Sequence, residues 1–594
     1  MQGAALSLGM ASLLVSTAAL VHAAQRAARA LFPGDAIAAL VATILFFNCA
    51  VVLVLELLGV LGLIATIPLL LSSLAVGLAV GRIPLVTGVP SRPLTPFRPW
   101  TRHVAAAAMV GAVLAAMVLE SVLVGARRPG PEFDAMTSHL PLAVQWLQTG
   151  AMRGMPFLAP ISIQQHYPAN SELLALWLMV PVHRDFLAQL AGVPGVLLTV
   201  TGTYMGARLL GARALPAAIA PLLVLTLSLV LVDQVGTNME DLQLLGALAT
   251  MTAFAVRQDR RPGWANVLAA GFAAGLGVGS RYAGLLAVMP TTAVLLWLLA
   301  TRLPRRQALL GGALFLTATV LVGGFFYGRN AFYTGDPVYP QSLPGLSVHA
   351  TEQLRLIPLR SYLQAGWRPG DWAASLAGVF TYYGPLFLLL LAAALILPFL
   401  AVAVTGIPRR WAILPALSVA IFLALPGSAG QLSGEHLDRF LALVQVRYIL
   451  PALTLTAMLL PAVTSRRDER GDLWGWAGLG GVGAAVSLGL VVAHPPIPGR
   501  RLSLPLLLLA LVICFSLLAL AARRPRIPRP AVRCALGGMA LMVVAAGGGR
   551  WAAAYDAERL SSVVPFENLR LHLPAAARVV DVVGICRLHG LYGP

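Results

Sequence analysis

The sequence predicts an all-α integral membrane protein, a polytopic helical bundle of about 16 spans with extracytoplasmic loops. Of its 594 residues, 58% are hydrophobic and only 11% are charged, and the mean hydropathy is +0.82. Apolar runs of the roughly 20 residues that a helix needs to cross a bilayer recur from one end of the chain to the other. A membrane β-barrel would instead show alternating strands of about 10 residues.

The distribution of arginine predicts which connections face the cytoplasm. The chain contains no lysine, so its 42 basic residues are arginine, and the net charge is +19. With the N-terminus outside, the alternate connections between spans hold 24 arginines and 5 acids, whereas the rest of the chain holds 18 of each. We therefore expect a multi-pass protein of the inner (plasma) membrane. Its positive charge is explained without a nucleic-acid partner.

A polar stretch between two apolar runs carries the first candidate residues. Glu132, Asp134 and His139 lie just beyond the span that ends near residue 126, and the apolar residues that follow recur at the spacing of a helix on the membrane surface. A carboxylate at the mouth of a span can act as a general base on a lipid-carried substrate. Asp is also a favoured N-cap residue, so Asp134 could instead cap this helix.

Two further polar loops are predicted on the same side of the membrane. The turn 233–241 ends in Glu240 and Asp241, although acids commonly end a span at water and Asp241 could simply cap the next helix. His166 and Tyr167 belong to a loop rich in aromatic and amide side chains. Such a loop suits a hydroxyl-rich ligand, or it anchors the chain at the interface.

Three arginines lie at the outer edges of predicted spans, the side that is disfavoured for positive charge. Arg281 and Arg447 are each followed by a tyrosine, and Arg329 follows a glycine. A guanidinium group binds phosphate oxygens in a bidentate manner, so the three together predict a receptor for an anionic lipid headgroup. Any one of them alone could be a snorkelling interfacial anchor.

In the order of these motifs, residues 104–465 resemble a known class of enzymes. The segment 134–150 comes first, followed by Tyr167-Pro168, the acidic turn ending at Asp241, Arg281-Tyr282, Arg329-Asn330 and Arg447-Tyr448. This order is similar to that in bacterial GT-C glycosyltransferases related to glycosyltransferase family 39, which use polyprenyl-phosphate sugars. Three apparent spans before the first loop, and Ser138 where an aromatic residue is expected, depart from the pattern.

The resemblance implies transfer of a sugar from a polyprenyl-phosphate donor to an acceptor hydroxyl on the extracytoplasmic face, with inversion. The acceptor would be a glycan, a lipid or a protein. Asp134 would be the base, with Glu240 and Asp241 as further catalytic candidates. The residues expected to bind the donor phosphate or line the substrate site are Arg281, Tyr282, Arg329, Arg447, His139, His166 and Tyr167. The resemblance permits a divalent cation, but no metal-ligand spacing in the sequence demands one.

The predicted organisation has four parts. They are an accessory three-span bundle (1–103), a GT-C catalytic membrane module (104–465) with extracytoplasmic loops 126–185 and 328–382, C-terminal spans (466–549), and an extracytoplasmic tail (550–594) that is short for an independent domain and looks truncated.

Three alternative functions remain open. A transporter or flippase for a lipid-linked glycan predicts ionisable residues near the middle of the bilayer and helices broken in paired halves. A non-catalytic scaffold predicts dispensable acids. A ligase or polymerase of lipid-linked oligosaccharides is the closest enzymatic alternative.

Overall fold

The described part of the chain is almost entirely α-helical. The computed structural model describes residues 2–82, 139–152, 163–185, 187–225, 227, 230, 234, 238–339, 386–400, 407–424, 432–433, 436–437 and 446–464. Within these ranges the strands form one antiparallel pair of two residues each, β1 (Leu432–Ser433) and β2 (His436–Leu437). The predicted all-α membrane fold is confirmed.

The helices follow one another through short connections. Their bounds are α1 Gln2–Leu31, α2 Ala36–Leu61, α3 Thr66–Gly81, α4 Leu140–Thr149, α5 Asn170–Met179, α6 Val193–Leu210, α7 Ala214–Leu225, α8 Asp241–Arg260, α9 Trp264–Ser280, α10 Tyr282–Arg302, α11 Arg305–Gly323, α12 Phe325–Thr334, α13 Leu386–Leu400, α14 Arg409–Ala412, α15 Leu414–Ala424 and α16 Leu450–Thr464. Short 3₁₀ turns occupy Ile163–His166, Ala188–Gly192 and Val446–Ile449.

Six helical stretches within the described ranges are long and apolar enough to cross a membrane. They are Leu6–Leu31, Ala36–Leu61, Ala188–Leu210, Tyr282–Arg302, Arg305–Gly323 and Val446–Val463. The protein is therefore a multi-pass membrane protein. The predicted total of about 16 spans includes apolar runs outside the described residues and stays a prediction.

Small residues let the central helices pack at close range. A Cβ atom at Gly195 of α6 would lie 2.7 Å from the backbone of Leu242 in α8. Between α9 and α11, a Cβ atom at Gly275 would lie 2.7 Å from the carbonyl oxygen of Thr319. Close backbone approach supplies van der Waals contact between helices in a membrane, where lipid tails are as apolar as the side chains. These contacts fix α8 and α9 relative to their neighbours.

The N-terminal helices are joined to the rest of the bundle through the turn after α2. The amide of Ile64 donates to the carbonyl oxygen of Gly150 (2.9 Å), and the amide of Met152 donates to that of Gly59 (3.0 Å). The end of α4 is thereby bonded to the α2–α3 turn. The predicted division of the chain at residue 103 lies outside the described residues and stays a prediction.

One end of the bundle, which we term the basic end, is held by ion pairs. Arg257 at the end of α8 lies 3.0 Å from the carboxylate of Asp35. Asp259 pairs with Arg302 and with Arg410, each at 2.7 Å. These residues come from four connections that the arginine distribution assigns to the cytoplasm. The structure brings the four connections to the same end.

Membrane topology is expected to follow this arrangement. A reporter fused after Arg306, next to the basic end, should behave as cytoplasmic, and one fused within residues 340–360 should behave as extracytoplasmic, because arginine-rich connections are retained in the cytoplasm. Paired phosphatase and fluorescent-protein fusions measure this. A fusion after Arg410 serves as a second cytoplasmic control. If the first two fusions report the same side, the assignment of faces is wrong.

Candidate active site

A buried histidine bridges two acids at the end of the bundle opposite the basic end. His139 occupies the N-cap position of α4. Its Nδ1 lies 2.5 Å from a carboxylate oxygen of Glu172 in α5, and its Nε2 lies 2.9 Å from a carboxylate oxygen of Glu240. The residue that precedes α4 is therefore tied to α5 and to the start of α8. Asp134 lies outside the described residues, so the alternative that it caps this helix stays a prediction.

Arg281 connects Glu240 to Asp241 and to Tyr448. It is the single residue between α9 and α10, and its extended backbone interrupts the two helices. Its Nη1 lies 3.0 Å from Glu240 and also contacts Asp241, and its Nη2 donates to the hydroxyl oxygen of Tyr448 at 2.8 Å. The Nε of Arg447 lies 3.9 Å from the carboxylate of Asp241. The network therefore joins charged side chains from the starts of α4, α5 and α8, from the junction of α9 and α10 and from the turn before α16.

The residue at the N-cap of α8 is Glu240, and its side chain makes no capping bond. Asp241 is the first residue of the helix, and its carboxylate contacts Arg281 instead. The alternative that Asp241 only caps α8 is therefore wrong.

The acids and cations of this network are equal in number. We term it the ion-pair cluster: Glu172, Glu240 and Asp241 with His139, Arg281 and Arg447. In their ionised forms these six side chains carry no net charge. A buried cluster of this kind is tolerated because each charge has an opposite charge nearby.

The pairing sets the protonation states within the cluster. Burial alone lowers the pKa of His139, but the carboxylates of Glu240 and Glu172 outweigh it and raise this pKa well above its ordinary value. Burial opposes ionisation of Glu240, yet Arg281 and His139 hold the pKa of Glu240 well below its ordinary range. Burial raises the pKa of Glu172, against the effect of His139. Glu240 is consequently a weak proton acceptor.

These shifts predict a pH-dependent stability. A histidine whose pKa is raised by folding contributes stability that is complete below about pH 6.5, its ordinary pKa, and is lost as the pH rises through the folded pKa. We expect the unfolding temperature of the detergent-solubilised protein to fall from pH 6.5 upward. The double variant His139→Gln/Glu172→Gln should show a shallower decline, because it lacks both groups of the pair. A variant that declines as steeply as the wild type would contradict this assignment.

A second group of polar and aromatic residues adjoins the ion-pair cluster through Tyr282, which follows Arg281. The hydroxyl of Tyr282 lies 2.6 Å from the carbonyl oxygen of Tyr339 and 3.0 Å from that of His166. Asn330 of α12 donates to the same His166 carbonyl oxygen (2.6 Å) and to the Tyr282 hydroxyl (2.8 Å). The ring of Tyr167 packs edge-on against that of Tyr282 at 5.2 Å. We term this the tyrosine group.

Arg329 belongs to the tyrosine group and not to the ion-pair cluster. Its Nη2 donates to the carbonyl oxygen of Gln165 at 2.6 Å. Its guanidinium lies over the ring of Phe326, 4.9 Å from the centroid. The three arginines predicted to act together are thus divided between two environments, two in the cluster and one outside it.

An apolar cleft opens beside the ion-pair cluster. It lies between α8, α10, α15 and the start of α16, and its cavity volume is about 30 Å³. Asp241, Arg447 and Tyr448 supply the polar part of its wall. Its other lining residues are Leu244, Leu245, Ala283, Leu286, Ala287, Ser418, Ile421, Phe422, Leu450 and Pro451. One part of the cleft wall is therefore apolar, and the adjoining part carries charged side chains.

Most of the predicted site residues are described, and they lie at one end of the bundle. His139, Glu240, Asp241, Arg281 and Arg447 meet in the ion-pair cluster, and the others lie in the tyrosine group. Asp134 and Glu132 fall outside the described residues.

Sequence reasoning missed Glu172. Glu172 could have been found as the single acid within the apolar run of α5. Ionisable residues in apolar membrane segments are costly and commonly functional.

The described residues offer no obvious place for a metal ion. Among them, no three His, Cys, Asp or Glu side chains form a group that could hold one. The carboxylates of the cluster are already occupied by guanidinium and imidazole groups.

Comparison with known families identifies the central part of the chain. Residues 186–328 match the family model described as dolichyl-phosphate-mannose-protein mannosyltransferase. This segment is therefore similar to a GT-C glycosyltransferase family. The matched segment includes Glu240, Asp241 and Arg281 and ends one residue before Arg329. The resemblance to the GT-C superfamily is confirmed, and the closer likeness to bacterial family 39 enzymes stays a prediction. No curated protein matches the chain.

Proposed function

We propose that the protein transfers a sugar from a polyprenyl-phosphate donor to an acceptor hydroxyl, at the extracytoplasmic face of the inner (plasma) membrane. The family match supports a glycosyltransferase that uses a polyprenyl-phosphate sugar and favours mannose as that sugar. The acceptor would be a glycan, a lipid or a protein. The face of the membrane rests on the arginine distribution.

The observation that carries the proposal is the apolar cleft beside the ion-pair cluster. The Leu, Ile, Phe and Ala side chains that wall the cleft are of the kind that packs against an isoprenoid chain. The chain would enter by displacing them, and its phosphate would lie where the wall becomes polar. Of the arginines predicted to bind this phosphate, Arg447 is the one that lines the cleft. Arg281 is shared between Glu240 and Asp241, so it would act on the phosphate mainly by fixing these acids.

The chemical step needs a base, and we assign this role to Asp134. The acceptor hydroxyl attacks the anomeric carbon, and its proton passes to the Asp134 carboxylate. A new C–O bond forms as the bond from the anomeric carbon to the phosphate oxygen breaks. The departing polyprenyl phosphate takes the electron pair and gains negative charge, which Arg447 would stabilise. Attack opposite the leaving group inverts the anomeric centre.

The state of Glu240 and Asp241 favours a different acid, Asp134, for this role. The pKa of Glu240 is held well below its ordinary range by Arg281 and His139 despite burial, and efficient general bases have a pKa nearer the working pH. Asp241 is also engaged by two arginines. Glu240 and Asp241 then serve as positioning residues.

A panel of polyprenyl-phosphate sugars tests the proposal. The purified protein, incubated with donors that carry mannose, glucose or a pentose, should release polyprenyl phosphate from one of them, detected by mass spectrometry. Mannose is the expected sugar. If no donor is consumed while a labelled lipid-linked glycan crosses the bilayer of vesicles that contain the protein, the protein is a flippase and the proposal fails.

A further inference from the structure

Arg329 is a buried cation without an acidic partner among the residues that the structure describes. It is 6% exposed. Its Nη2 is satisfied by a carbonyl oxygen, but its Nε and Nη1 are buried and have no hydrogen-bond partner. A guanidinium removed from water with unused N–H groups is unfavourable unless a ligand completes its hydrogen bonds. Arg281, by contrast, contacts two carboxylates.

His166 supplies a further unused donor beside Arg329. It is 8% exposed, and its Nδ1 is buried without a partner. Burial and the nearby Arg329 lower the pKa of His166 to about 4, so the ring is neutral at physiological pH. Its Nε2 lies 3.2 Å from the side-chain amide nitrogen of Gln165 and so accepts that hydrogen bond. In this tautomer, assigned from the hydrogen bonds, the proton is on Nδ1.

The two residues are held in place by one short segment. The carbonyl oxygen of Gln165 accepts from Arg329, and the adjacent carbonyl oxygen of His166 accepts from Asn330. The 3₁₀ turn that carries His166 is thereby fixed to α12. These two hydrogen bonds hold the residues in place before any ligand enters, which reduces the ordering cost of binding.

All the unused donors of Arg329 and His166 are N–H groups, and the pair carries one positive charge. This combination fits an oxyanion, either a carboxylate or a phosphate ester. Arg329 contacts Gln165 and Phe326, and neither residue lines the cleft. A donor whose lipid occupies the cleft would have its phosphate at Arg447, which leaves the oxyanion at Arg329 to the other substrate.

We propose that Arg329 and His166 form a second oxyanion site, which binds an anionic group of the acceptor. This proposal rests on the proposed function for the meaning of donor and acceptor. It predicts that the acceptor bears a carboxylate or a phosphate close to the hydroxyl that receives the sugar.

Thermal unfolding of the purified protein with two probes tests this proposal without requiring turnover. Inorganic phosphate should raise the unfolding temperature of the wild type and of Arg447→Gln, but not of Arg329→Gln. Undecaprenyl phosphate should stabilise the wild type and Arg329→Gln, but not Arg447→Gln. Arg329→Lys should respond to inorganic phosphate only weakly, because it keeps the charge but not the planar array of donors.

The outcomes separate the two proposals. If inorganic phosphate stabilises Arg329→Gln as much as the wild type, or does not stabilise the wild type, the second oxyanion site is excluded. If undecaprenyl phosphate does not raise the unfolding temperature of Arg329→Gln, Arg329 binds the phosphate of the donor. The proposal is then overturned in favour of a donor site. If undecaprenyl phosphate stabilises none of the proteins while inorganic phosphate behaves as expected, the oxyanion site stands and the polyprenyl-phosphate function fails.

Discussion

Asp134→Asn is expected to slow sugar transfer at least about a hundredfold while the protein remains folded. Asparagine keeps the size of aspartate but cannot accept the acceptor proton. Asp134 lies five residues before His139, so it can be no more than about 18 Å from it. Release of polyprenyl phosphate, compared at equal protein and saturating donor, measures the effect.

The matched control is Asp185→Asn, which removes a carboxylate outside the ion-pair cluster and the tyrosine group. Its rate should remain within about twofold of the wild type, as is usual for sites away from the chemistry. Unfolding temperatures of both variants establish that they are folded. If Asp134→Asn turns over at a near-normal rate and Glu240→Gln or Asp241→Asn does not, the base is one of those acids. If all three remain active, the assignment of a carboxylate base is wrong.

The fold class could be predicted from the sequence because it depends on local composition. Apolar runs of roughly 20 residues form membrane helices whatever their neighbours are. The predicted orientation in the membrane requires only the number of arginines in each connection. Helix ends were less predictable. The apolar run 308–327 is divided at Gly324, where α11 ends and α12 begins. An apolar pattern continues through such a break, so periodicity does not reveal it.

The candidate site was only partly predictable, because its partners are distant in the sequence. Polar residues at span edges could be assigned to one side of the membrane, and the structure does bring His139, Glu240 and Arg281 together. Their pairing could not be derived, since it depends on which helix ends are adjacent in space. The sequence also suggested that Arg281 and Arg329 act on one phosphate. The structure instead gives Arg281 two carboxylates and leaves Arg329 with a carbonyl oxygen.

Arg281→Gln is expected to destabilise the protein by about 3 to 5 kcal/mol, the usual cost of removing one member of a buried ion pair. The side chain is almost fully buried, and its loss would leave Glu240 and Asp241 close together without the cation they share. Denaturant or thermal unfolding in detergent measures the loss. Arg305→Gln, which changes an exposed arginine at the start of α11, should change stability by less than about 0.5 kcal/mol.

A double variant distinguishes loss of charge balance from loss of packing. If the cost of Arg281→Gln arises from an unpaired carboxylate, then adding Asp241→Asn should restore part of the stability, because one of the two stranded charges is removed. The double variant would then be more stable than the sum of the two single changes predicts, with a coupling energy of about 0.5 to 3 kcal/mol. Additive losses would mean that Arg281 acts through its packing against Tyr448. Arg329→Gln should cost less stability than Arg281→Gln. It removes a hydrogen bond to the carbonyl oxygen of Gln165, but within the described residues it leaves no carboxylate stranded.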